Sequence, residues 1–354
     1  MPDTTANASP IAIAVIGASG YTGANLLRLL LMHRRARIAC VTSRQHAGRT
    51  IGEVFPRYRG MPGSEVAFIE PEIDIVVASG ATTAFLALPH GVASEFAVPL
   101  LERGLKVIDL SADFRIADPV VYEEFYEAAH PAPELLKTAV YGLPEVHGDA
   151  IRSASLVASP GCYPTSIILP LIPMLQEGVI DPASIGVFSM SGVSGAGRKE
   201  SIHLLFAECN ESVRAYSVPR HRHLSEIEQE LTLAAGSKVV ITFTPHLIPV
   251  TAGICTTTYA QLSAGVDVSV VDAALERAYG RACFVRLLGR DSCPDTKHVV
   301  GTNFIDIGWS YDQRTGRLIL MSAEDNLGKG AASQAIQSFN LMHGFAEDAG
   351  LLLV

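Results

Sequence analysis

Residues 11–33 read IAIAVIGASGYTGANLLRLLLMH. The opening IAIAVIG is a continuous apolar, β-branched run closed by glycine, the pattern of a strand buried on both faces. ANLLRLLLMH (24–33) spaces its leucines for a helix and uses good helix formers. Gly17, Gly20 and Gly23 lie between them. A buried strand, a glycine turn and a helix in immediate succession leave few folds open. The next strand returns parallel to the first, and the helix covers the sheet.

The rest of the first half keeps this alternation. RIACVTS (37–43), DIVVAS (74–79), AFLALP (84–89) and LKVIDLS (105–111) read as further strands, and GVASEFAVPLLERG (91–104) as a helix between two of them. The pattern predicts an α/β fold with a doubly wound, Rossmann-type parallel sheet. A short apolar run, Leu156–Ala158, then ends at Ser159-Pro160-Gly161, and Cys162 follows. Beyond it the character changes. HLSEIEQELTLAAG (223–236) reads as a helix with Ser225 and Glu228 at capping-box spacing. KVVITFTPHLIPVTAGICTTTYAQL (238–262) is rich in Thr and Val with period-two stretches and reads as antiparallel strands. DVSVVDAALERAYG (267–280) is helical, NFIDIGWSYDQRTGRLILMSAED (303–325) is a hairpin around Arg314-Thr315-Gly316, and GKGAASQAIQSFNLMHGF (328–345) is a closing helix. This predicts a nucleotide-binding domain over residues 1–160, an inserted α+β domain over 161–325, and a C-terminal helix within 326–354 that packs back on the first.

Composition narrows the function. The chain has 354 residues, 48% hydrophobic and 18% charged, enough for packed cores rather than disorder. A net charge of −9 argues against a nucleic-acid or anionic-membrane surface, so an anionic substrate needs a local basic pocket. The polar start MPDTTANASP is not a signal peptide, and no apolar run is long enough to span a bilayer. A cytoplasmic protein with no membrane contact is expected. The cysteines at 40, 162, 209, 255, 283 and 293 form no CxxC pair, so free thiols and no metal site are expected.

The GxxGxxG loop suits a pyrophosphate, because bare backbone and a helix N-terminus both face it. The second strand ends in Ser43 and Arg44 rather than a carboxylate, which favours the 2′-phosphate of NADP over the ribose diol of NAD. Cys162 stands just past a Pro-Gly bend at a helix start, where a thiol pKa is lowered. Pro170 and Pro173 fit poorly in a regular helix, so the segment after the cysteine is expected to be kinked or short. Cys40, Cys255 and Cys283, inside apolar runs, read as core residues. A nucleophilic thiol needs an acid/base partner, and YSVPRHRHLSE (216–226) supplies His221 and His223. If that segment is extended, both imidazoles share one face while Arg220 and Arg222 face elsewhere or bind an anion. His33, His130 and His343 read as surface or structural. The loop MSGVSGAGRKE (190–200), ending in Arg198-Lys199, can bind an anion or cover a nicotinamide, and Arg115 in DLSADFR (109–115) is a second anion ligand. An NADP-binding sensor without chemistry would keep the glycine loop and Arg44 but would not need Cys162 with paired histidines.

Taken together, GASGYTG, VTSR, FLALPHG, DLSADFR, YGLPE, SPGCYPT, SGVSGAGR, HRHLSEI, GTNF and NLGKGAA mark a family. From about Ile11 to the C-terminal helix the chain resembles the N-acetyl-γ-glutamyl-phosphate reductases, NADPH enzymes of arginine biosynthesis built like the aspartate-semialdehyde dehydrogenases. The resemblance implies a small-molecule acyl-phosphate substrate, a cysteine thioester, and a homodimer or homotetramer assembled through the inserted domain. It carries the nucleophile onto Cys162 and the active-site histidines onto His221 and His223, leaning to His221 as base. Cofactor positions fall on Gly17, Ser19, Gly20, Tyr21, Thr22 and Gly23, on Ser43 and Arg44, on Pro89 and His90, and on Ser194, Gly195 and Asn326. Substrate contacts fall on Arg115, by analogy with the semialdehyde dehydrogenases, and on Arg198. Three positions depart from the family pattern: Ser159 where Asn is frequent, Ser225 where Pro is usual, and Met190 where Lys is common. A related reductase acting on a carrier-linked aminoadipyl phosphate shares these motifs, and the pocket residues alone do not separate the two substrates.

Overall fold

Alternating branched side chains let the first strand bury both of its faces. In the computed structural model, which describes residues 9–198 and 200–352, β1 (Ile11–Ile16) turns Ile13 and Val15 into one core and Ala14 and Ile16 into another. It lies inside a seven-stranded parallel sheet with β2 (Ala36–Thr42), β3 (Phe68–Ile69), β4 (Thr83–Leu86), β5 (Lys106–Asp109), β6 (Val140–Tyr141) and β7 (Leu156–Ala158). The order is β3-β2-β1-β4-β5-β7-β6. The winding reverses between β1 and β4, and a crevice opens at their carboxyl ends. Helix α1 (Tyr21–Met32) covers one face and α2 (Ala93–Glu102) the other; α3 (Pro144–Ser153) follows β6.

Helix α4 (Cys162–Gln176) leads into a second, mixed sheet of seven strands: β8 (Gly186–Gly192), β9 (Arg214–Ala215), β10 (Thr242–Ile248), β11 (Ile254–Gln261), β12 (Val285–Arg290), β13 (Ile305–Asp312) and β14 (Arg317–Glu324). Their order is β12-β13-β14-β11-β8-β10-β9. With α4, helices α5 (Leu224–Ala235) and α6 (Val270–Tyr279) pack on the inner face, while Phe188, Met190 and Tyr259 stay exposed on the outer one. The chain then returns to the first sheet, where α7 (Ser333–Met342) packs beside α1 through Ile336 and Phe339.

Several expectations need correction. DIVVAS is not a strand but part of a helix, Ile73–Ala78, that buries only Val76. A short apolar run does not reveal its period, and Asp74 in the first turn suits a helix N-terminus. The strands β3 and β6 went unseen because two residues carry no pattern. β13 and β14 form the expected hairpin, but β10 and β11 do not pair with each other. β8 lies between them, parallel to β10 and antiparallel to β11. Period two reports one buried face and says nothing of the neighbour. The Ser225–Glu228 capping box is absent. α5 starts at Leu224, Ser225 Oγ donates to the Arg222 carbonyl, and Glu228 accepts from Ile241 N–H. α4 is neither short nor broken: it runs fifteen residues with Pro170 and Pro173 inside. Cys40 is buried as expected, but Cys283 is exposed. Among the described residues no helix is long and apolar enough to cross a membrane, and no cluster of His, Cys, Asp or Glu has the makings of a metal site.

Candidate active site

The turn after β1 must pass under the end of β4. Gly17 takes φ 80°, and a Cβ there would stand 2.7 Å from the Ala87 carbonyl oxygen. Both demands exclude a side chain. Gly20 differs: nothing lies within 4 Å of where its Cβ would be. Its backbone and the free N–H groups at the start of α1 face a cavity of about 700 Å³. Ser19, Tyr21, Thr22 and Gly23 line the same end, and Ser43 and Arg44 line it from β2. Pro89 and His90 enter after β4; Ser194, Gly195 and Asn326 enter from the second sheet. Asn326 Nδ2 donates to Ser194 Oγ at 3.0 Å, and its Oδ1 accepts from Gly253 N–H at 2.7 Å, so one side chain pins that loop to the cavity wall. This cradle fits a dinucleotide, with the basic Arg44 at the end away from Cys162.

Arg198 lies on the glycine-loop side rather than beside the cysteine. Its Nη1 donates to the Ser19 carbonyl at 2.8 Å, and its guanidinium sits 5.6 Å from the centre of the Tyr21 ring. Lys199 falls outside the described residues.

Cys162 opens α4 at the carboxyl edge of β7. It lines the first cavity and also a second one, of about 800 Å³. Gly195, Arg222 and His223 border both. The second cavity carries Arg214, Arg220 and Arg222 against Glu124 and Glu127, with Tyr216 and His221, so its lining is net positive on an acidic protein. Arg220 is paired with Glu124 at 2.9 Å. The backbone N–H of Tyr163 lowers the thiol pKa, as a helix start should, but burial and the nearby Glu324 charge prevail and push it up to about 12.

The histidines meet differently from the expectation. His221 to His223 is a turn, not an extended stretch, with His223 in helical conformation at φ −68°, ψ −12°. The rings still converge, 4.8 Å apart. His223 N–H donates to His221 Nδ1 at 3.1 Å. His223 Nε2 stands 3.8 Å from Glu226 Oε1, and its Nδ1 has no partner among the described residues. Burial first, then Arg222, pushes His221 down to about 4. Burial, His221, Arg115 and Arg222 lower His223 further below the imidazole range. Both rings are neutral at pH 7.

The residue that sequence reasoning missed is Glu226. It is fully buried on α5, and its Oε2 accepts from Gly161 N–H at 3.0 Å and Tyr141 O–H at 2.8 Å. Its Oε1 takes Arg115 Nη1 at 3.1 Å. Arg115 completes the frame: Nε donates to the Ser159 carbonyl at 2.7 Å and Nη2 to Leu110 at 3.1 Å. Arg115 lines the first cavity, but its fork grips the turn that carries Cys162. The available signal was the pair Glu226 and Glu230, one helical turn apart and flanking Ile227 on an otherwise apolar stripe.

Comparison with known proteins adds to this geometry. Residues 12–154 match the family described as semialdehyde dehydrogenase, NAD binding domain, and residues 162–326 match semialdehyde dehydrogenase, dimerisation domain. The chain is 59% identical to an N-acetyl-gamma-glutamyl-phosphate reductase of Akkermansia muciniphila over 341 residues, covering 96% of this chain and 98% of that one. It is 50% identical to the protein of the same name from Geobacter metallireducens, covering 96% and 97%. Among solved structures, aspartate semialdehyde dehydrogenase II complexed with ASA from Vibrio cholerae aligns with a TM-score of 0.71 at 19% identity, over 95% of this chain and 99% of that one. Aspartate semialdehyde dehydrogenase with NADP from Candida albicans aligns with a TM-score of 0.66 at 15% identity, over 94% and 99%. At those identities the likeness to the solved structures is one of fold.

Proposed function

The chain belongs to the N-acetyl-γ-glutamyl-phosphate reductase family of the semialdehyde dehydrogenases, and from that premise we propose that it reduces N-acetyl-γ-glutamyl phosphate to N-acetyl-glutamate 5-semialdehyde with NADPH, through a thioester on Cys162, as a cytoplasmic step of arginine biosynthesis. The observation that carries this reading is the position of Cys162, on the wall between a dinucleotide-shaped cavity and a basic one, with two neutral imidazoles beside it.

The cofactor side follows from residue chemistry. The Gly17–Gly23 loop and the start of α1 hold the pyrophosphate, and Ser43 and Arg44 hold the 2′-phosphate. Ser194, Gly195 and Asn326 close the nicotinamide end. When bound, NADPH supplies the hydride that reduces the acyl carbon.

The protein does the rest. A neutral imidazole takes the Cys162 proton, and the sulfur attacks the acyl-phosphate carbonyl. Backbone N–H groups at the start of α4 stabilise the oxyanion, phosphate leaves, and the acyl group stays on sulfur. After reduction, collapse of the tetrahedral adduct frees the aldehyde and restores the thiolate. Arg214 and Arg222 supply positive charge for the substrate's carboxylate and phosphate. Arg115, bound to Glu226 and Ser159, positions the Cys162 turn. Residues 1–160 with 326–354 serve the cofactor. Residues 161–325 serve substrate and the contacts of a homodimer or homotetramer.

The test is reduction of NADP by N-acetyl-glutamate 5-semialdehyde with inorganic phosphate, the reaction run backwards. Activity should require phosphate and prefer NADP to NAD. C162S should fold and bind NADPH, yet lose turnover. Retention of more than about a hundredth of the wild-type kcat, roughly 2.7 kcal/mol of barrier, would overturn the nucleophile assignment.

A further inference from the structure

The end of β14 carries a glutamate where a strand buried on both faces would carry an apolar residue. Glu324 is fully buried, and neither carboxyl oxygen has a hydrogen-bond partner among the described residues. Its register neighbours are Ile254 on β11 and Ile305 on β13. Gly330 measures how near it lies to the nucleophile. A Cβ on Gly330 would stand 2.9 Å from Cys162 Cβ and 3.0 Å from Glu324 Oε1. A side chain at position 330 would wedge the two apart, and glycine leaves them side by side.

The other charges around the pair are already engaged. Lys329 Nζ binds Glu145 Oε1 at 2.6 Å and Gln337 Oε1 at 2.7 Å. Asp325 accepts from Gly301 and Leu327 N–H groups. Arg115 and Glu226, reaching Cys162 from α5 and the first sheet, bind each other. Lys329 favours ionisation of Glu324, Asp325 and Glu145 oppose it, and burial outweighs them all, so the carboxyl keeps its proton far above the usual range. The Glu324 charge in turn raises the thiol.

We propose that Glu324 is a positioning residue coupled to Cys162: over the first ionisation the two groups share a single negative charge, and the thiol is the weaker acid whenever Glu324 has lost its proton. Two anions this close, one of them on a fully buried carboxyl, repel. The first proton to leave belongs to the pair, so its charge divides between oxygen and sulfur, and the second leaves only at higher pH. Thiolate reactivity therefore rises in two steps with a plateau between them.

The experiment is alkylation of Cys162 by iodoacetamide, followed by mass spectrometry on the Cys162 peptide across the pH range in which the full chain stays folded. Wild type should give two steps. E324Q, which keeps shape and loses the charge, should give one step at lower pH, with alkylation at the wild-type plateau faster by up to about tenfold, the scale of a coupling of one pKa unit. E324D should restore two steps. A purely structural role would change thermal stability and leave the shape of the profile alone. Superimposable profiles for wild type and E324Q would overturn the proposal, and E324L gives the same reading should E324Q fail to fold. The inference rests on Cys162 as nucleophile, but alkylation needs no turnover. Full activity in C162S would therefore remove the nucleophile and leave the coupling intact, whereas superimposed profiles beside an inactive C162S would remove the coupling alone.

Discussion

His221 and His223 carry the same ring 4.8 Å apart, yet their hydrogen bonds differ. His221 Nδ1 accepts a backbone N–H, so its lone pair is engaged and its proton sits on Nε2. A ring in that state donates; it suits the oxyanion or the departing phosphate. His223 turns Nε2 towards Glu226 and keeps Nδ1 without a partner, the condition of a base. The family resemblance leans to His221 as base; the unpartnered Nδ1 of His223 supports the opposite assignment, which we propose. H223N is therefore expected to slow both turnover and Cys162 alkylation near neutral pH, with a loss in kcat of about 10²–10⁴. H221N should slow turnover and leave alkylation close to wild type, because alkylation needs no acid. Equal alkylation profiles for the two variants would reject the division of roles. At this scale residue type and motif mark Cys162, Arg44 and the paired imidazoles as candidates, and the fold brings Cys162, His221 and His223 to one cavity. Sequence alone marks Glu226 only by the faint sign of its spacing from Glu230, and does not mark Glu324. A lone glutamate reads as a solvated charge until the fold brings Gly161 and Arg115 to one and Cys162 to the other.

α4 shows how an element overrides its own composition. Pro170 and Pro173 each lack the N–H that would bond the carbonyl one turn back, on Ser166 and Leu169. Both carbonyls are satisfied from outside the helix: Ser322 Oγ on β14 donates to the Ser166 oxygen at 2.7 Å, and Tyr279 O–H on α6 donates to the Leu169 oxygen at 2.8 Å. The helix that opens on Cys162 thus survives by tertiary hydrogen bonds that no local reading anticipates. Y279F should cost about 1–3 kcal/mol, the scale of a buried carbonyl left unpaired. P173A returns an N–H to that carbonyl, so Y279F should cost less in the P173A background. Denaturant unfolding of the four proteins reads the difference, and an equal cost in both backgrounds would show that the carbonyl is not the cause. The same divide governs the strands. β1, β2, β4 and β5 are legible because each centres on a buried apolar stretch. The partners of β10 and β11 are not, because alternation records which face is buried and never which strand lies alongside.

Five imidazoles across the molecule are held away from water. His33 bonds Asn340 between α1 and α7, His343 bonds Thr83 on β4, His130 bonds the Asp113 carbonyl, and His221 and His223 sit in the site. Burial lowers all five, His221 and His343 to about 4. The unfolded chain protonates these rings near pH 6.5 while the folded chain resists, so the unfolded state binds more protons and stability falls as pH drops from 6.5 towards 4. Buried carboxyls act the other way. Asp109 is raised by burial to about 7, so its contribution is full at low pH and is lost as pH climbs from 3.8 through 7. Glu324 has the same sign. Glu228 is raised by burial as well, and five imidazoles against three carboxyls still leave the acid side weaker, so the melting temperature should decline steadily between pH 6.5 and 4. H343Q isolates one share of it. A glutamine amide can keep a hydrogen bond to Thr83 Oγ1 but takes no proton. The variant should match wild type near pH 7 and overtake it near pH 4, by no more than about 3 kcal/mol. Parallel melting curves for the two proteins across that range would mean that protonation of His343 plays no part in the acid transition, and that the loss of stability comes from the other rings.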